Sequence, residues 1–212
     1  RLNGTARPGD RVPTLLLKSI EREHYQGKMR KDKILAILVD FPDYPKNSIR
    51  PELTKMYYPD YTPEHYNDLL FSSKGYAGPN GEQFISMRQF YEQQSGKSYS
   101  VRGQVAGWYT ASKNAAYYGA NATPNTIREL VKEALIQVAG DPSIDLSEFD
   151  QEDRYDLNGN GNRDEPDGLI DHLMIFHSSV GEEAGGGDLG EDAIWAHRWN
   201  LGAPYPIPGT SS

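Results

Sequence analysis

Oxygen-bearing side chains recur at alternate positions through Asp156, Asn158, Asn160, Asn162 and Asp164, and a further carboxylate follows at Asp167. The series suits a hard divalent cation, since calcium takes roughly six to eight oxygen ligands at about 2.3–2.6 Å. As such a loop curls, the side chains at its first, third and fifth positions converge on one point. Gly161 supplies the positive φ that the sharp turn requires. Asn162 would offer its backbone carbonyl, Asp164 would bind directly or through water, and Asp167 would close the shell. Asp stands where an EF-hand prefers a bidentate Glu, which predicts a weaker site. A strand and not a helix is expected after the loop, so a structural role for calcium outweighs a sensing one. The competing reading is an Asn/Gly turn of no ionic consequence. A calcium loop of this kind also points to a protein that works outside the cell.

Other chemistry is thinner. None of His24, His65, His172, His177 and His197 forms the His-x-x-x-His pair of a zinc helix. His172 and His177 are five apart on one expected strand, so they face opposite ways and cannot share a metal there. A structural role is the expectation for each histidine. There is no Gly-x-Ser-x-Gly elbow and no phosphate loop. Gly185-Gly186-Gly187 lacks a following Lys and reads as a flexible loop. Glu182-Glu183 could belong to a glycosidase pair, but nothing singles them out among many acids.

The whole chain narrows the classes further. A net charge of −8 argues against nucleic acid, which needs a basic face. The one basic cluster, Lys28, Arg30, Lys31 and Lys33, is short and interrupted, and reads as a solvated segment ahead of a strand. No apolar run approaches the roughly 18 residues of a membrane helix. The absence of cysteine removes disulfides and thiolate metal sites without placing the protein inside a cell. With 37% apolar and 25% charged residues over 212 positions, the chain can bury a sizeable core.

The elements that must position the loop follow from periodicity. The apolar run from Lys33 to Phe41 is expected to be a central strand buried on both faces. Thr62-Pro63 opens a helix whose buried side is Tyr66, Leu69 and Leu70, and Ser86 with Gln89 forms the capping box of a second. Lys97 to Trp108 reads as a hairpin turning at Gly103. Pro124 to Ala139, capped by Thr123, carries a single apolar stripe from Ile127 to Val138. Leu169 to Phe176 reads as a second buried strand, and Ile194-Trp195 as the edge of a last one. The expected class is α/β (α+β), a twisted mixed sheet with packed helices and a calcium loop. Residues 1–32 read as a leader or linker, with propeptide origin left open, and 33–212 as the domain.

Several blocks together resemble the immune inhibitor A family of secreted bacterial zinc metallopeptidases. They are Val39-Asp-Phe-Pro-Asp-Tyr44, Ile85 to Gly96, Gly103-Gln-Val-Ala-Gly-Trp108, Asp156 to His172, Val180 to Gly187 and Ala193 to Trp199. The resemblance implies the upper part of a zincin-type catalytic domain. It also implies peptide-bond hydrolysis by zinc-bound water with a glutamate base, protein or peptide substrates, and an extracellular location. The family's His-Glu-x-x-His helix is expected beyond Ser212, so zinc ligands and base are assigned to no residue here, and the segment alone is expected to be inactive. Its partner would be the rest of the catalytic domain. Residues near Gly181–Trp199, above all Gly185, Gly186, Trp195 and His197, are the expected wall of the substrate cleft. The alternative function is a self-standing calcium-dependent module that binds carbohydrate or protein.

Overall fold

The computed structural model describes residues 27–121 and 126–209. Strand β1 spans Arg30–Asp40, and its residues from Leu35 to Val39 are fully buried. Two further strands, β4 (Tyr99–Thr110) and β5 (Leu173–His177), pair with it in parallel, one on each side. Burial on both faces explains why β1 is a continuous apolar run instead of an alternating one. The boundary expected at residue 32 falls inside this strand.

Helices cover both faces. On one lie α1 (Pro63–Phe71) and α2 (Met87–Gln94), which bring Leu70, Phe71 and Met87 onto Ile34, Ala36 and Val101. On the other, α4 (Thr126–Ala139) lays Leu130, Ala134, Leu135 and Val138 onto Leu35, Ile37 and Val39. Each large apolar side chain so buried contributes about 1.5–3 kcal/mol. The expected cap at Thr123 and start at Pro124 lie outside the described residues. A short helix, α3 (Ala115–Gly119), places the buried Tyr118 beside Phe41, ring centres 5.7 Å apart.

Both expected caps form. Thr62 Oγ1 accepts from His65 N–H at 3.1 Å. Ser86 Oγ accepts from Gln89 N–H at 3.1 Å, while Gln89 Oε1 accepts from Ser86 N–H at 3.1 Å. Ser86 is fully buried and also donates to Ser72 O at 2.6 Å, so it ties α2 to the end of α1. Ser86→Ala is expected to remove about 1–2 kcal/mol of stability, read as a lower urea midpoint with unchanged slope. An unchanged midpoint would refute that role.

Two expectations change. The hairpin expected over Lys97–Trp108 is one unbroken twelve-residue strand, β4. Gly103 marks close packing and not a turn: a Cβ there would lie 2.2 Å from Ile34 O and 2.4 Å from the Phe71 ring. Ile194-Trp195 forms no strand; the segment is extended loop after a short 3-10 turn at Gly190–Asp192. The expected α+β class holds, with parallel and antiparallel pairing in separate sheets. The three-stranded sheet is wholly parallel, and the antiparallel pair is a separate ribbon of β2 (Tyr76–Ala77) and β3 (Gln83–Phe84).

Candidate functional site

The acidic loop occupies the connection between α4 and β5. A 3-10 turn at Leu146–Phe149 buries Phe149 in the core and delivers the chain to Asp150. Asp150 then clamps the far end of the loop, its two oxygens accepting from Asp167 N–H and Gly168 N–H, each at 2.8 Å. Asp153, with 1% of its surface exposed, holds the near end by accepting from Leu157 N–H at 2.7 and 2.9 Å. Asp167 Oδ1 accepts from Leu169 N–H at 2.9 Å. No helix follows; the chain passes through bends into β5.

Between these clamps the loop winds as successive side-chain turns. Asn158, Asn160 and Asn162 each accept, through Oδ1, from the backbone N–H two residues on. Asp156 Oδ1 accepts from Gly161 N–H at 3.0 Å, and Gly161 has φ +79° as the turn requires. The amide nitrogens of Asn158, Asn160 and Asn162, and not the side-chain oxygens expected to converge on a cation, meet at the carboxylate of Glu165, donating to it at 2.7, 2.7 and 2.8 Å. Those donations hold the Glu165 carboxyl below its ordinary range. Asp164 contributes its backbone N–H to Asn162 Oδ1 at 3.1 Å.

The loop is rich in oxygen donors, although among the described residues no three of its carboxylates stand within 4.8 Å of one another. From Asp156 to Asp167 the carboxylates are Asp156, Asp164, Glu165 and Asp167, against Arg163 as the only basic side chain. Burial pushes the Asp167 carboxyl above its usual value, and Asp150 and Asp153 push it further against a hydrogen bond from Leu169. Acids crowded this way favour an added cation over their own ionisation alone. Asp150, Asp153 and Glu165 are absent from the alternating set read in the sequence. The Asp-x-x-Asp-x-x-Asp spacing of 150, 153 and 156 was the available signal for the first two.

The expected cleft-wall residues lie on the segment after β5. Gly185 and Gly186 close a turn, donating to Glu182 O at 2.8 Å and Gly181 O at 3.0 Å. That turn is tied to the next stretch, since Glu182 N–H donates to Ile194 O at 3.1 Å and Ala196 N–H to Glu183 Oε2 at 2.9 Å. Glu183 is therefore a structural clasp and not half of a carboxylate pair. The clasp leaves Trp195 57% exposed, and His197 Nδ1 lies 2.6 Å from Trp195 O. Arg50 anchors the turn from the other side, its guanidinium spanning both oxygens of Asp188 at 2.8 and 3.0 Å.

The histidines are dispersed. His65 stacks beside Tyr58 on α1, and His177 lies beside Phe41 and Ser179 at the C-terminal end of β5. Burial holds His177 below its ordinary pKa. His172 sits at the opposite end of the strand, against Asp32. Among the described residues, no histidine pair stands one helical turn apart as a catalytic zinc helix requires. No described helix is long and apolar enough to cross a membrane.

Comparison with known proteins covers nearly all of the chain. The sequence profile described as "Immune inhibitor A peptidase M6, catalytic domain" matches residues 21–212. The pre-pro-metalloprotease PrtV of Vibrio cholerae serotype O1 (strain M66-2) is 65% identical over 192 residues, covering 88% of this chain and 21% of that protein. Immune inhibitor A of Bacillus thuringiensis subsp. alesti is 47% identical over 210 residues, covering 95% of this chain and 30% of that protein. The chain thus spans less than a third of the length of these relatives.

Proposed function

The chain belongs to the immune inhibitor A (M6) peptidase family, and from that premise we propose that it forms the N-terminal part of the catalytic domain of a secreted bacterial zinc endopeptidase, stabilised by calcium at Asp156–Asp167. The observation that carries the reading is the match of the family's catalytic domain along residues 21–212. That match favours a peptidase domain over a self-standing calcium-dependent binding module.

Zinc would supply a bound water of lowered pKa and polarise the scissile carbonyl. No two described histidines form the His-x-x-x-His pair of a catalytic zinc helix, so the catalytic zinc is proposed to be held by residues beyond Ser212. What the segment contributes is position. Its parallel sheet, packed on both faces, is a rigid floor, and the clasped stretch from Gly181 to Trp199 is the proposed wall for an extended peptide. The support for that wall is the exposure of Trp195 beside backbone held by Glu182 and Glu183. Calcium, drawn to Asp156, Asn158, Asn160, Asn162, Asp164 and Asp167, would hold the α4–β5 connection that leads into the sheet. The partners are protein or peptide substrates and the remainder of the catalytic domain.

Two proteins should be compared on one unfolded protein substrate. The full-length protein is expected to cleave it, and residues 1–212 alone are not. Trp195→Ala in the full-length protein should lower kcat/KM by about tenfold, mostly through KM, equivalent to about 1.4 kcal/mol. Unchanged peptide kinetics would sink the wall assignment, and cleavage by the segment alone would sink the division of the site.

A further inference from the structure

The N-terminal edge of the parallel sheet gathers a second set of ligand-type side chains, beside the stretch that leads into the acidic loop. Asp32 lies near the start of β1 and is 7% exposed. His172 immediately precedes β5, and Glu152 lies on the stretch that enters the loop. One ligand atom from each lies within 4.8 Å of the other two. Hydrogen bonds fix the backbone at His172 and tie the residues beside it to the stretch that carries Glu152. Leu35 N–H donates to His172 O at 2.9 Å, Asp171 N–H to Phe149 O at 3.0 Å, and Gln151 N–H to Asp171 Oδ2 at 2.6 Å.

His172 Nε2 is the telling atom. It is buried and has no hydrogen bond of acceptable geometry, although Asp32 Oδ2 stands 3.2 Å away. A buried ring nitrogen left without an aligned partner is costly. A close N···O contact without hydrogen-bond alignment is, however, the normal relation of two ligands on one ion. Donors about 2.1 Å from a tetrahedral centre lie about 3.4 Å from each other.

Charge gives an independent argument. Arg30 bridges the two acids, Nε donating to Asp32 Oδ1 at 2.8 Å and Nη2 pairing with Glu152. Arg154 Nη2 also approaches Glu152 Oε2, but only to 4.0 Å, so a single close guanidinium spans both carboxylates, whereas a divalent ion would pair directly with each. The Arg30 side chain is 56% exposed and free to swing into solvent. Tyr99 O–H donates to Asp32 Oδ2 at 2.7 Å, the kind of outer contact that orients a ligating carboxylate.

We propose that Asp32, Glu152 and His172 form a binding site for a divalent transition-metal ion, best matched by zinc, with Arg30 as the counter-ion that the metal displaces. Imidazole together with carboxylate suits zinc, whereas calcium shells are built from oxygen alone. Glu152 completes the set, its ligand atom within 4.8 Å of those of Asp32 and His172. This site shares no residue with the calcium set or the substrate wall, although Glu152 stands between Asp150 and Asp153, which clamp the acidic loop.

The test is a calorimetric titration of the calcium-saturated full-length protein with zinc, with bound metal counted by elemental analysis. One zinc equivalent should be lost, or weakened at least about tenfold, in both Glu152→Gln and His172→Gln. The same equivalent should bind more tightly in Arg30→Ala, which no purely structural ion-pair network would produce. Equal zinc stoichiometry and affinity in wild type and all three variants would overturn the proposal. So would weaker or unchanged binding in Arg30→Ala. If a variant does not fold, wild-type crystals soaked in zinc decide. An anomalous peak between the three side chains supports the site, and its absence there rejects it.

Discussion

Chelating calcium from the purified protein is expected to lower its melting midpoint by about 5–10 °C, and Asp156→Ala is expected to abolish that difference. The size follows from ligand linkage: calcium at about a hundredfold above its dissociation constant stabilises the folded state by about 2.7 kcal/mol. For a domain of this length each kcal/mol moves the midpoint by about 2–4 °C. The physical basis is the crowding of acids between Asp150 and Asp167, whose mutual repulsion and burial hold Asp167 above its usual pKa. Asp156 also accepts from Gly161 N–H, so Asp156→Ala costs some stability even without calcium. The diagnostic quantity is therefore the difference between chelated and calcium-loaded samples, compared across the two proteins. Identical midpoints for the wild type with and without chelator would remove calcium from the account.

Gly103→Ala is expected to damage the sheet strongly, at about 1–3 kcal/mol or more. A Cβ at this position meets the Ile34 carbonyl at 2.2 Å and the Phe71 ring at 2.4 Å, so β1 or α1 must shift. The Ile34 oxygen is backbone within the central strand and has little freedom to yield. Gly159→Ala is the matched control. It has φ +72° but open space around it, so its cost is backbone strain alone, about 1–2 kcal/mol. Urea unfolding of the two variants separates the effects. Equal losses, or a smaller loss in Gly103→Ala, would refute the close-packing explanation.

Gly103 also shows where sequence reading stops. In isolation a glycine between alternating apolar residues signals a turn, and nothing nearby reveals that a helix more than thirty positions earlier presses Phe71 against it. By contrast β1 was legible because full burial on both faces leaves an unbroken apolar run. Both helix starts were legible because capping uses only residues three apart. The short ribbon of β2 and β3 and the one-turn helix α3 escaped because neither is long enough to establish a period. The expected strand at Ile194-Trp195 did not form, since two apolar residues without an alternating neighbourhood specify no pairing.

The acidic loop was legible in part. Its alternating Asp and Asn positions are visible as a local pattern, and Gly161 takes the conformation that pattern demands. Asp150 and Asp153, which clamp the loop ends, lie upstream of the pattern, and Glu165 falls out of its register. Asp32, Glu152 and His172 were beyond reach for a different reason. They belong to three distant parts of the chain, and only the parallel pairing of β1 with β5 brings Asp32 to His172.

The central claim, that this segment works as part of a zinc endopeptidase, is tested most directly by metal removal from the full-length protein. Its cleavage of an unfolded protein substrate should disappear when a zinc-selective chelator such as 1,10-phenanthroline is added, and return when zinc is restored with calcium held constant. Cleavage that survives zinc removal, or a folded full-length protein that neither holds zinc nor cleaves, would contradict the account.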